Sequence, residues 1–424
     1  MTRLANPCAR LLHSLPETCT ALLCVSLCVC LCPLSSAQAP APAAAAVTAA
    51  PPPAPPLPTT PAMTGPLAAN PKPTLLDAGP LGKVYITGAL SGLAIWQDNH
   101  TTIDSGGQFD LSNGQLFLNK TYGTWQYFVQ AGAYSLPALG APYFRSDKAT
   151  GDFYGAFPQA FAKYAPNSAF NIEAGKLPTL IGAEYTFTFE NMNIERGLLW
   201  NQENAVNRGV QLNYAHGPLS LAFSWNDGFY SNRLTWISLS ITDAINKTDS
   251  LALIGGGNTQ HTKVNTIATP LYLNNEQIYN LMFTHTAGAW VVMPFLQYTN
   301  VPRIPSVGAN ESASTIGAAL YMSYAFGDYT KRGGPNLTGW SLPLRIEYIG
   351  STGDAAEGAP SLVYGPGSNA WSLTLSPTFQ HNLFFARADL SYVGTGAITN
   401  GDALGPVGKD KSQSRFMLEL GVLF

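Results

Sequence analysis

The sequence predicts an all-β fold: a transmembrane antiparallel β-barrel of about sixteen strands, within a range of roughly fourteen to eighteen. Three observations predict it. Runs of about ten residues alternate apolar and polar side chains from Gly82 to the end of the chain, and the apolar rows tend to begin or end on Trp, Tyr or Phe. Only 11% of the 424 residues are charged, yet beyond Gly79 no apolar run reaches the eighteen residues that a membrane helix needs. The chain also stops inside an alternating segment, on Phe424, with no polar tail. Such an end frays in water unless it is paired, and closing the sheet pairs it.

The first eighty residues are not part of that pattern. Arg3 and Arg10 precede a Leu/Val/Ala/Cys-rich run from Cys19 to Leu34, and Ala37-Gln38-Ala39 forms a small-residue cleavage site. Residues 1–39 therefore read as a secretory signal peptide; the apolar run is short for a membrane anchor. Leu27 and Leu31 precede Cys28 and Cys32 and argue against acylation there. All six cysteines lie in this leader, so the mature chain is expected to carry no disulfide, thiol nucleophile or Cys-based metal site. Without the two Arg and one Glu of the leader, 20 basic and 24 acidic residues remain, which is no nucleic-acid footprint. Residues 40–79 are rich in Ala, Pro and Thr, nearly uncharged and free of aromatics up to Asp77, and read as a disordered periplasmic linker whose default role is a spacer.

The barrel is expected over 80–424. Its strands read as 82–97, 107–119, 122–135, 155–165, 168–176, 207–216, 217–226, 231–242, 248–257, 276–287, 289–300, 313–327, 338–350, 368–380, 382–395 and 412–424. In the last of these Phe416, Leu418, Leu420, Val422 and Phe424 share one face, and Arg415, Met417, Glu419, Gly421 and Leu423 the other. The joins after even-numbered strands include tight turns at His216-Gly217, Thr286-Ala-Gly288 and His381-Asn382, whereas the joins after odd-numbered strands are mostly long: 136–154, 177–206, 258–275, 351–367 and 396–411. That alternation suits a barrel with both termini in the periplasm. The 328–337 join departs from it mildly.

The longest join, 177–206, is too long and too apolar in patches for a simple exposed loop, and is expected to fold inward as a third-loop constriction. Lys176, Glu184, Glu190, Glu195, Arg196, Glu203 and Arg208 are the candidate constriction residues. Glu173, Arg345, Glu347, Arg387, Asp389, Arg415 and Glu419 are candidates for the lumen wall, where charge sets selectivity or simply pairs with opposite charge. Phe424, Val422 and Leu420 are the candidate membrane-assembly signal. No His-x-x-x-His, Gly-x-Ser-x-Gly or P-loop pattern occurs, and the chain is not expected to be an enzyme or to need a cofactor or metal.

Gly175-Lys176-Leu-Pro-Thr-Leu-Ile-Gly182-Ala-Glu184, followed by Arg208-Gly209-Val210-Gln-Leu and the terminal Phe424, resembles the OmpL-like outer-membrane porin family over about 80–424. The resemblance implies a Gram-negative outer-membrane channel for small hydrophilic solutes, narrowed by an inward loop. Its expected partners are outer-membrane lipids and the barrel-assembly machinery, with a homotrimer left open and no nucleic acid. A plugged barrel serving as an adhesin or structural protein is the alternative. An outer-membrane hydrolase using His285 and a nearby serine is a weaker one.

Overall fold

A computed structural model describes residues 56–58 and 63–424; the expected leader and half of the linker, residues 40–55 and 59–62, lie outside the described residues. Sixteen strands form the wall. They are β1 (Lys83–Gln97), β2 (Gly107–Lys120), β3 (Trp125–Tyr134), β4 (Ala160–Tyr164), β5 (Phe170–Pro178), β6 (Val206–His216), β7 (Leu219–Asn226) and β8 (Trp236–Asp243). They continue as β9 (Asp249–Asn258), β10 (Gln277–Ala287), β11 (Trp290–Val301), β12 (Ala313–Ala325), β13 (Trp340–Ser351), β14 (Asn369–Leu375 with Thr378–His381), β15 (Phe384–Gly396) and β16 (Ser412–Leu423). Each pairs antiparallel with its sequence neighbours, and β16 pairs with β1 to close the ring.

Closure is set by the register Phe416↔Trp96, Leu420↔Gly92 and Val422↔Leu90. Phe424 continues the ladder: its N–H donates to the Gly88 carbonyl at 3.0 Å, and its carbonyl accepts from the Gly88 N–H at 2.8 Å. Before Gly88 the start of β1 takes a different partner on that side. The short strand Thr74–Asp77 pairs there, with Thr74 opposite Ile86 and Asp77 opposite Lys83. An unpaired edge is thereby covered. The sequence pattern did not reveal this strand, because four residues carry too little periodicity.

Alternation sorts the side chains as expected. Leu373, Leu390, Leu420 and Ile346 are exposed on the outside, while Thr374, Asp389, Glu419 and Arg345 on the same strands are buried inside. Ring pairs mark both ends of the apolar band. Trp96 stacks on Phe416 at 5.5 Å and Trp371 meets Tyr392 at 5.2 Å towards the long loops. Trp125 meets Tyr164 at 4.9 Å and Trp290 meets Tyr324 at 4.7 Å towards the short turns. Two strands are shorter than their pattern suggests. A π-helical turn, Thr150–Tyr154, delays β4 to Ala160, and Tyr230 and Asn232 adopt left-handed backbone that delays β8 to Trp236.

A membrane sets the sign of substitutions on the outer face. Ile346→Arg near mid-height is expected to destabilise the folded barrel by about 2–4 kcal/mol. Urea unfolding in lipid vesicles measures it, with the outward but end-positioned Trp340→Arg expected to be milder.

Candidate functional site

The segment 179–205, between β5 and β6, runs inside the barrel. It contains two short 3-10 turns, Thr188–Glu190 and Leu199–Gln202. Its apolar residues seat it against an aromatic wall. Phe187 meets Tyr134 edge-on at 5.1 Å, and Phe189 meets Phe117 at 5.8 Å. Leu198 and Leu199 pack in a second cluster with Phe295 and Tyr321.

The opposite wall is charged. Arg345 of β13 donates to Glu184 Oε1 at 2.7 Å and to the Glu195 carbonyl at 2.7 Å. Glu347, two residues on, accepts from the N–H groups of Leu198 at 3.0 Å and Leu199 at 3.3 Å, and from Ser372 Oγ at 2.8 Å. Asp389 of β15 accepts from the N–H of Ile194 at 2.8 Å and of Glu195 at 3.1 Å. Arg387 bridges to Glu419 of β16 at 2.5 Å and donates to the carbonyls of Thr188 at 2.9 Å and Asn191 at 3.1 Å. Arg415 holds Glu195 at 2.7 Å and the Ala138 carbonyl at 2.9 Å. Glu419 also accepts from Thr188 Oγ1 at 2.7 Å and Ser91 Oγ at 3.0 Å. Every charged side chain in this network is buried. Burying ions without partners is costly, so the segment and the wall satisfy one another.

Gly197 makes one close approach possible. A Cβ there would fall 2.1 Å from Glu347 Oε1, so any side chain would displace the Glu347 carboxylate from its bonds to Leu198 and Leu199 or shift the segment. The Gly197 N–H donates to Glu184 Oε2 at 2.7 Å. Towards β10 and β11, Glu203 accepts from Gln297 Nε2 at 2.7 Å, and the Gly182 N–H donates to Asn280 Oδ1 at 3.1 Å.

Of the candidate constriction residues, the structure gathers Glu184, Glu190, Glu195, Arg196 and Glu203 within the inward segment, all buried. Glu190 folds back on its own turn and accepts from the Phe187 N–H at 2.9 Å. Burial pushes its carboxyl up to about 8 and raises that of Glu203 well above the usual range. Arg196 lies 4.8 Å over the Trp200 ring, its guanidinium without a hydrogen-bond partner, and burial lowers it to about 10.

Lys176 and Arg208 do not join this group. They are register partners on β5 and β6, two residues from Val210 and four from Leu212 on the exposed apolar row. Both rest on the ring of Tyr230. Arg208 pairs with Asp227 at 2.8 Å, and Lys176 donates to the carbonyls of Tyr154 and Phe157 at 3.2 and 3.0 Å. Reading them as inward charges overlooked their parity with Val210, Leu212 and Tyr214. Glu173 does face inward, next to the turns, and pairs with Lys163 at 3.3 Å. Sequence reasoning passed over the inward hydroxyls and amides (Ser91, Asn113, Ser376, Ser391). Their signal was their place on the polar row of each strand. His285 meets Asp249 at 2.5 Å beside a short turn.

A closed barrel with an apolar exterior, a charged interior and a segment folded through its lumen is the architecture of an outer-membrane channel protein. Residues 83–424 match the family model described as "Putative beta-barrel porin-2, OmpL-like" (BBP2), and the chain belongs to that family. It is a porin of the bacterial outer membrane. Solved structures that share the fold include the following three. OmpT, an outer membrane protein of Vibrio cholerae, is 13% identical with a TM-score of 0.53 over 82% of this chain and 99% of that one. The anion-selective porin from Comamonas acidovorans is 12% identical with a TM-score of 0.52 over 80% and 99%. The outer membrane channel DcaP of Acinetobacter baumannii is 11% identical with a TM-score of 0.52 over 80% and 97%. No curated protein matches the sequence.

The clamp sets two expectations. Arg345→Ala leaves Glu184 and Glu347 buried without their cation and is expected to destabilise the barrel by about 3–5 kcal/mol, measured by denaturant unfolding. Gly197→Val is expected to release the segment without removing a charge, seen as new protease cleavage within 179–205 of the folded protein.

Proposed function

We propose that the protein lets small hydrophilic solutes diffuse across the outer membrane through a lumen narrowed by the segment 179–205, with no chemical turnover. The observation that carries this reading is the fixed position of that segment, held by the charged residues of β13, β15 and β16. Field lines from such a wall select permeating solutes by charge and size. Arg196, the segment's one arginine, makes no hydrogen bond from its guanidinium among the described residues, and it is the residue assigned to anion preference. Arg208, held at Asp227, is not. Outer-membrane lipids and the assembly machinery are the partners in this reading, with Phe424, Val422 and Leu420 as the strand end that the machinery reads. A homotrimer is compatible with it.

A plugged barrel is the second reading, favoured by the burial of every charge from Glu184 to Glu203. Liposome swelling with sugars, amino acids and organic acids separates the two: swelling is expected, and its absence with all three supports the plug. Arg196→Glu is expected to shift the reversal potential in a planar bilayer towards cations, while Arg208→Glu leaves it unchanged. Equal values for parent and Arg196→Glu would remove Arg196 from the permeation path.

A further inference from the structure

The chain before β1 enters the same end of the barrel as the short turns. The Thr64 and Gly65 N–H groups donate to the Glu190 carbonyl at 2.8 and 3.3 Å, and Thr64 Oγ1 donates to it at 3.3 Å. Glu190 lies in the inward segment, so this contact joins the start of the chain to the constriction. Leu67 is buried in the cluster that contains Phe117, Phe189, Phe385 and Leu423. The Ala68 N–H donates to Gln380 Oε1 at 2.7 Å, and Gln380 Nε2 returns a bond to the Ala68 carbonyl at 2.9 Å. Residues 63–69 thus touch the inward segment, the aromatic wall and β14 in turn.

Open space remains on both sides of this crossing. A cavity of about 480 Å³ is lined by Pro66, Met192, Val291, Ser323, Ser341 and Gln380, and one of about 180 Å³ by Met63, Phe117, Phe189 and Leu423. The crossing divides the mouth that solutes leaving the lumen must pass. Gly65 is pressed onto the inward segment: a Cβ there would lie 2.1 Å from the Asn191 carbonyl oxygen. Residues 63–71 contain no charged side chain, so no ion pair secures them. Pro66 and Pro71 restrict the backbone between the contacts, and Thr74–Asp77 anchors the segment to β1.

We propose that residues 63–71 form a built-in stopper that narrows the turn-side mouth by docking on Glu190 and Asn191, and that its release widens the path for solutes. The proposal rests on the porin reading and gives the segment before β1 a role beyond that of a spacer. Contacts of this kind, neutral and few, are weak enough to exchange with water while the wall stays intact.

The test compares planar-bilayer conductance of the chain from residue 40 with a variant lacking residues 40–73, which keeps Thr74–Asp77. Gly65→Val and Leu67→Asp dislodge the crossing without shortening the chain, and exposed Lys72→Ala serves as control. A several-fold rise in conductance is expected for the deletion, Gly65→Val and Leu67→Asp, and none for Lys72→Ala. An unchanged, non-zero conductance in the deletion variant overturns the stopper and leaves the porin standing. Silence of every variant overturns both.

Discussion

Hydrocarbon offers a peptide group no hydrogen-bond partner, and the rest of this structure depends on that constraint. Sixteen strands satisfy it by closing on themselves through β16 and β1. The last residue takes part, since both backbone groups of Phe424 are bonded to Gly88. Beyond that pairing, the chain before β1 turns back as Thr74–Asp77 and covers the edge of β1. The wall is therefore a closed sheet. Its outer face can then carry an apolar band, with rings at the two ends of the band.

Closure also creates the opposite problem inside. A sealed wall with Arg345, Glu347, Arg387, Asp389, Arg415 and Glu419 on its inner face must either hold water or supply partners. At the waist the segment 179–205 supplies them. It presents Glu184 and Glu195 to two arginines, and it also presents backbone N–H groups to Glu347 and Asp389 and carbonyls to Arg387. Buried ion pairs are weak evidence of stability, since desolvation offsets much of their attraction. Their contribution here is position. Each guanidinium and carboxylate satisfies a particular group of the segment, so a shift by one residue would strand several buried charges at once.

The wall was legible in the sequence because a strand in a membrane is a local pattern. The period of two in 371–379, 384–392 and 416–424 fixes which residues face out without knowledge of any other strand. The alternation of long and short joins supplied the orientation of the strands. The inward course of 179–205 was legible too, from its length and apolar patches, but its contacts were not. Asp389 and Ile194 are far apart in sequence, and only the closed wall brings them together. Lys176 and Arg208 show the converse error. Their charge suggested the lumen, although their parity with Val210 and Leu212 placed them on the outer row, near the rim where Tyr230 and Asp227 receive them. The crossing at 63–69 left no periodic trace, because it is held by backbone groups and a single leucine.

The magnitudes decide which interior element is able to move. The segment 179–205 is fastened by hydrogen bonds to charged groups, worth about 1.5–3 kcal/mol each, and releasing it would leave several buried ions unpaired. Together those terms exceed the margin by which most domains are folded. The crossing at Thr64–Ala68 is fastened by neutral bonds worth about 0.5–1.5 kcal/mol each, plus one buried leucine. Its donors and acceptors all find water when it leaves. In the proposed reading, the segment 179–205 keeps its place as part of the wall, and any opening and closing falls to the weaker element in the mouth. The two meet at the Glu190 carbonyl, so the fixed element serves as the seat for the movable one.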